Sequence, residues 1–325
     1  MRRTSIIVAL MLMLTACDAD RHEGDVGDEL RIVSLSPALT QMLVELDAGE
    51  HIVGVGEHDA AAPPGAAVVG GFPDIQAEAL LSTRPTHVLA QSQSVHLRRL
   101  AESAGFELVA WRYPATIDAV LETLAPADPD PPGVGSVIGR GDEAAALRER
   151  IEAQLASLKE LTDGAAERPR VLLLIGTRPV TASGPGTVFD DMLDIAGGRN
   201  AAPTGQAGAP ALDREMLLAA APEVIVLMSP GDRPLEALAE DDRLADLRGL
   251  DIPAVRNRRI RIINDPLAML PTTTIPRVTA ELIAGLHPEL AEAARAVVRG
   301  ADAVDVAEIP RAMADVAGVR RERGR

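Results

Sequence analysis

The sequence predicts an α/β protein of two similar lobes, each built on a mostly parallel sheet, with a single long helix joining them. Three observations predict it. Strand-length apolar runs alternate with helix-length amphipathic segments, the pattern of parallel strands covered by helices. The alternation stops and then resumes, and the two halves match segment by segment. At the joint lies one stretch of about 20 residues with a helical period.

The chain begins with Arg2 and Arg3, an apolar run from Ile6 to Leu14, and then Thr15, Ala16 and Cys17. A basic start, a brief apolar segment and small residues are the pattern of a cleaved export signal, whereas a membrane-spanning helix needs about 20 apolar residues. Leu14-Thr15-Ala16-Cys17 matches a bacterial lipobox, and Cys17 is the only cysteine. An internal disulfide is therefore impossible, and the thiol stands where lipid modification takes place. Residues 1–17 are read as a lipoprotein signal peptide, so that the protein is exported and anchored through Cys17 at the periplasmic face of a membrane. Residues 18–29 are acidic, contain Gly and lack an apolar period, as expected of a flexible tether.

The N-terminal α/β lobe covers 30–138. Its strands are expected at Arg31–Leu35, Ile52–Val55, His87–Ala90 and Glu107–Trp111, and its helices at Thr40–Leu46, Ile75–Ser82 and Val95–Ala104. A break rich in Pro, Asp and Gly from Pro126 to Gly141 leads into the inter-lobe helix, 139–164. Ala146, Leu147, Ile151, Leu155, Leu158 and Leu161 recur at helical spacing and give it one apolar face. Asp142 suits its N-cap and Gly164 its end. Its length of roughly 30 Å is enough to bridge two lobes.

The C-terminal α/β lobe covers 168–290, with strands at Val171–Ile175, Val224–Met228 and Ile260–Ile263 and helices at Val188–Ile195 and Arg214–Ala220. Residues 291–325 form a C-terminal extension that reads as helical up to Arg299. The repeat is explicit. Glu78-Ala-Leu-Leu-Ser-Thr-Arg-Pro85 leads into a strand in the first lobe, as Glu215-Met-Leu-Leu-Ala-Ala-Ala-Pro222 does in the second. Similar strands, Arg31-Ile-Val and Arg170-Val-Leu, precede the glutamates by 47 and 45 residues. Each proline ends its helix, because the ring bars further helix and restricts the residue before it.

A hydrophobic content of 47% with 25% charged residues is that of a globular chain, and 325 residues suit two domains of ordinary size. The net charge of −16 argues against nucleic acid or an anionic membrane surface as a partner. Enzyme signatures are lacking. The sequence holds no Gly-x-Ser-x-Gly elbow and no Walker loop, and Gly54-Val-Gly56 has Asp59 where a dinucleotide fingerprint needs its third glycine. Ser183-Gly-Pro-Gly reads as a turn rather than an anion cradle. Glu57-His58-Asp59, without further spaced histidines, reads as a polar turn rather than a metal site. No catalytic residue, metal or cofactor is expected. A secreted hydrolase and a sensor lipoprotein are the alternative readings.

Arg31-Ile-Val-Ser-Leu-Ser-Pro37, the Val69-Gly-Gly-Phe-Pro-Asp74 turn with Glu78 and Arg84-Pro85, Thr181-Ala-Ser-Gly-Pro-Gly-Thr187, Ile195-Ala-Gly-Gly-Arg-Asn200, Asp213-Arg-Glu215 and Leu286-His-Pro-Glu289 follow one another in a family's order. Over roughly Leu30 to Leu290 the chain resembles the helical-hinge substrate-binding proteins of ABC importers, which deliver cobalamin, heme or ferric siderophores. The resemblance implies a monomer with a solute cleft between two lobes, modest closure, and a glutamate on each rim that meets arginines of the permease dimer and its ATPase. Glu78 and Glu215 take those positions. Either one alone reads as an acid favoured by a helix's first turn. A matched pair at one offset points to docking.

A cobalamin-like or ferric-chelate ligand is then expected on the loops after the strand C-termini. These supply Ser36, Pro37, Phe72, Trp111, Arg112 and Tyr113 from one lobe, and Arg178, Ser183, Thr187 and the Met269 to Thr274 loop from the other. Trp111 and Tyr113, the only Trp and Tyr of the chain, suit a flat amphipathic ligand; a tryptophan plugging the lobe's core is the alternative for Trp111. Arg112 would meet an anionic oxygen or stand in solvent. Tyr113, His58 and His96 are the axial candidates for heme. A corrinoid or preformed iron chelate depends more on shape and hydrogen bonds and fits this residue set better.

Overall fold

The computed structural model describes residues 30–299 apart from 72–73, 93, 129–130, 166, 206–207 and 231–240. The signal peptide with Cys17, the tether, Phe72 and the extension beyond 299 lie outside the described residues.

In the first lobe β1 (Ile32–Ser34), β2 (Ile52–Val55), β3 (Ala67–Val68), β4 (His87–Ala90) and β5 (Glu107–Ala110) form one sheet in the order β3-β2-β1-β4-β5. Every pairing is parallel. The central strands are apolar on both faces, as helix-covered parallel strands must be: Ile32, Val33, Val88 and Leu89 have no exposed surface. Between the strands run α1 (Pro37–Glu45), α2 (Ala77–Ser82) and α3 (Val95–Ala104), and α4 (Ile117–Leu124) follows β5.

A short helix, α5 (Val134–Val137), leads into α6 (Gly141–Asp163), the long helix between the lobes. The second lobe comprises β6 (Arg170–Thr177), β7 (Val180–Ala182), α7 (Val188–Ile195), β8 (Arg199–Asn200), α8 (Arg214–Ala220), β9 (Val224–Met228), α9 (Pro253–Arg256), β10 (Ile260–Ile263), α10 (Ile275–Leu286) and α11 (Ala291–Arg299). Its sheet runs β10-β9-β6-β7 with β8 also on β6, and only β7 is antiparallel. The orders β2-β1-β4-β5 and β8-β6-β9-β10 place corresponding strands in corresponding positions. The duplication seen in sequence is thus a duplication of topology. Among the described residues no helix is long and apolar enough to cross a membrane.

Three details of the sequence reading are corrected. α2 and α8 stop at Ser82 and Ala220, where the sequence places their ends, but the residue before each proline, Arg84 (φ 48°) or Ala221 (φ 40°), is left-handed. The helix is thus ended by a backbone reversal that the proline follows. Asp142 lies inside the first turn of α6, beside its free N–H groups, while Arg140 holds the N-cap. The buried stripe of α6 is Ala144, Leu147, Ile151, Leu155, Leu158 and Thr162, with Ala146 exposed and Leu161 half-buried. In addition, residues 291–299 form α11, which packs on α6 and α10, so this part of the C-terminal segment is an outer layer of the lobe.

α6 spans about 35 Å and is held near both ends. On the first lobe, Arg148 donates to the Ala125 carbonyl (2.7 Å) and to Glu122 (2.8 Å). α5 presses so close that a Cβ on Gly135 would lie 2.2 Å from that of Ala144, which leaves room only for glycine. On the second lobe, the buried Thr162 hydroxyl donates to the Ile195 carbonyl (2.7 Å). Two further bonds cross directly between lobes: the Ile117 amide donates to Asp191 (2.9 Å), and the buried Thr272 hydroxyl to the Ala38 carbonyl (2.9 Å).

Candidate functional site

In each sheet the chain leaves the central strand toward one neighbour and later crosses to the other side. The loops after β1 and β4 therefore diverge, as do those after β6 and β9, and such switch points are where α/β sheets take ligands. At the first, the Ser36 hydroxyl donates to Gln91 Oε1 (2.5 Å), which ties the start of α1 to the end of β4. Behind it the Thr40 hydroxyl donates to Asp59 (2.6 Å) and lies 2.8 Å from that of Ser34. Burial pushes the Asp59 carboxyl up, against the hydrogen bonds from Thr40 and the Ala61 amide. Asp59 is thereby committed to the loop after β2, and His58 beside it points to solvent.

The second lobe reaches this spot through the loop after β10. Its Thr272 hydroxyl bonds the Ala38 carbonyl, two residues past Ser36. Around this junction sit buried polar atoms without a protein partner: Gln91 Nε2 from the first lobe, and Asn264 Oδ1, Thr273 Oγ1 and Thr274 Oγ1 from the second. A buried polar atom left unpaired costs about 1–3 kcal/mol. Four of the five such atoms among the described residues belong to the strand ends and the loop that meet here; the fifth is His287 Nε2.

A family model described as periplasmic binding protein matches residues 32–267, most of the folded chain. The chain belongs to the periplasmic binding protein family. A cobalamin-binding protein of Halobacterium salinarum is 29% identical over 272 residues, covering 73% of this chain and 71% of that one. The vitamin B12-binding protein of Photorhabdus laumondii is 24% identical over 229 residues, covering 69% and 78%. Among solved structures, the periplasmic heme-binding protein of Roseiflexus sp. RS-1 in apo form superposes with a TM-score of 0.66 at 28% identity, over 82% of this chain and 99% of that one.

For a periplasmic binding protein of this architecture, the residues singled out in sequence separate into two groups. Ser36, Pro37 and the Met269 to Thr274 loop meet at the junction, with Pro37 and Met269 half-buried. The other described ones make no hydrogen bond seen at that junction. Trp111 is 7% exposed and its indole N–H donates to the Pro132 carbonyl (3.0 Å), so it plugs the core of its own lobe. Arg112 and Tyr113 beyond it are exposed, Tyr113 at 63%. Arg178 lies on the surface and donates to the Asp242 carbonyl (3.0 Å). Ser183 and Thr187 hydrogen-bond each other (2.7 Å), and Thr187 caps α7 through the Asp190 amide (3.2 Å), so their hydroxyls are taken up locally. Glu78 and Glu215 are exposed in the first turns of α2 and α8. Gln91 and Asn264 were missed; the one signal for each is a carboxamide directly after an apolar strand.

A cavity of about 800 Å³ lies elsewhere, between α4, the middle of α6 and α7. Asp118, Glu152, Asp190, Asp191 and Asp194 line it together with Arg168 and Arg199. It reaches the N-terminal start of β6 and β8, the opposite end of the sheet from the junction, and none of the described residues expected to touch solute lines it. Burial pushes the Asp191 carboxyl up, with Asp190, Asp118 and Asp194 adding to the effect and the Ile117 N–H opposing it.

Proposed function

We propose that this protein is the solute-binding component of an ABC importer and holds a corrinoid, or a ferric chelate such as heme, at the inter-lobe junction. The observation that carries this reading is the set of unpartnered polar atoms from both lobes at the strand ends, in a chain whose relatives are named for cobalamin, vitamin B12 and heme. A corrinoid bears a fringe of amides, which both donate and accept. Gln91 Nε2, the threonine hydroxyls and Asn264 Oδ1 supply complementary partners. For heme, whose fringe is two carboxylates, Tyr113 is the candidate axial group.

The same reading makes the protein an exported lipoprotein tethered by Cys17, working as a monomer that presents Glu78 and Glu215 to arginines of the permease dimer. Rim charges of this kind mainly set orientation and association rate. The deciding experiment uses protein lacking residues 1–17, titrated with cyanocobalamin, hemin and ferric siderophores while visible absorbance and Trp111 fluorescence are followed. One-to-one binding of one of these classes is expected; binding of none overturns the proposal. Reversing both charges, Glu78→Lys with Glu215→Lys, should leave solute binding intact and abolish stimulation of the importer ATPase.

A further inference from the structure

The lobes repeat more than their backbone. On α2, Glu78 is followed three residues later by Leu81; on α8, Glu215 is followed by Leu218. A spacing of three on a helix puts both side chains on one face. Leu81 is 38% exposed and Leu218 39%, whereas their neighbours Leu80 and Leu217 are buried at 0% and 2%. Only five large apolar side chains are exposed among the described residues, and two of them occupy this one position of the repeat.

A single exposed leucine is ordinary, but the repeat tells this pair apart. Ala79, Ser82 and Thr83 of the first copy stand against Met216, Ala219 and Ala220 of the second, while the glutamate and both leucines are kept. The buried leucine is kept for packing. Neither exposed leucine belongs to its lobe's hydrophobic core cluster or is among the side chains packed against it. Both helices end in a left-handed residue followed by proline, so the two copies enter their sheets in the same way.

We infer that Glu78 with Leu81 and Glu215 with Leu218 are two copies of one docking element, a carboxylate beside an exposed leucine. It fits a partner that presents a cation next to an apolar recess twice, about a two-fold axis. Under the reading above that partner is the permease dimer, and the inference rests on that reading. The two parts of the element do different work: the carboxylates act on approach and orientation and are screened by salt. The leucines leave water only in the formed complex and so set how long it lasts.

The test measures association of the full chain with its cognate permease–ATPase complex in nanodiscs, at two salt concentrations. Leu81→Ala with Leu218→Ala should weaken binding about a hundredfold, roughly tenfold per side chain, through faster dissociation that salt hardly alters. Glu78→Gln with Glu215→Gln should instead slow association and flatten its salt dependence. Leu81→Met with Leu218→Met should restore near-native affinity, and these variants should lower the melting temperature by no more than a few degrees while leaving solute binding unchanged. If the alanine pair binds like wild type while the glutamine pair is weakened, the inference falls and the docking reading stands. If neither pair weakens the complex, or wild type fails to bind, both fall. A wild-type dimer in sedimentation that the alanine pair dissociates would assign the leucines to self-association and overturn the inference.

Discussion

The two lobes share one plan but finish its first turn differently. In the first, β1 runs directly into α1, and Ser36 and Gln91 stay at the strand ends with a donor unpartnered. In the second, β6 continues to Thr177 and the chain doubles back as β7, after which Ser183 and Thr187 bond each other and Thr187 caps α7. The extra strand closes that switch point. The second lobe contributes through another loop, from Asn264 to Thr274. The scaffold is repeated and these strand ends are not, so a solute bound as proposed would meet different chemistry on its two faces and take one preferred orientation.

The largest effect expected concerns the strand ends. Trp111→Ala should cost about 3–5 kcal/mol and Ile263→Ala, at the buried end of β10, about 2–5 kcal/mol, read from urea unfolding. An unchanged midpoint for Trp111→Ala combined with lost solute binding would put the indole back in the cleft. Next come the two switch points. Gln91→Leu should weaken solute about tenfold, one hydrogen bond of roughly 1.4 kcal/mol, and lower stability by about 1 kcal/mol as the Ser36 hydroxyl loses its acceptor. Ser183→Ala should cost about 1 kcal/mol of stability and leave affinity alone. Equal losses of affinity in a calorimetric titration would mean that both turns face solute.

The smallest effect concerns Asp191, which caps the Ile117 amide across the lobes. Its pKa is raised in the fold, so the folded state holds the proton more tightly than the unfolded chain does. Its contribution is therefore fully present below the ordinary carboxylate range near pH ~4 and is lost as pH rises through the raised value. Asp191→Asn should be neutral or stabilising by less than about 1 kcal/mol at pH 7, with the gain vanishing in melts near pH 3. A clear loss of stability at pH 7 would show that the charged cap outweighs its burial.

Much of the fold was legible because its core elements carry their own period. Ile52–Val55, His87–Ala90, Val95–Ala104, Val188–Ile195, Arg214–Ala220, Val224–Met228 and Ile260–Ile263 occur with the limits read from sequence. β3 and β8, two residues each, exist only through the neighbour they pair with, and nothing local announces them. β7, three residues just ahead of the turn at Ser183, is too short to show a period of its own. α10 begins with Ile275-Pro276 and is buried almost all round, so it lacks the polar face that marks a surface helix. The site was less legible still. Ser36 bonds Gln91 across 55 residues, and Thr272 bonds Ala38 across 234. Trp111 stood out by rarity, yet rarity says nothing about which side of a strand end a ring packs on.

Because α6 is fastened to both lobes by Arg148, Thr162 and the tight seat at Gly135, lobe movement must come from elastic deflection of a rod whose cost climbs with the square of the angle. The separation of the two rims is then a property of the rod and not of the cargo. If the rims dock as proposed, empty and loaded copies would leave nearly the same footprint on the receiver. Traffic through such a receiver would then become a contest between them, in which a surplus of unladen carriers would act as a brake.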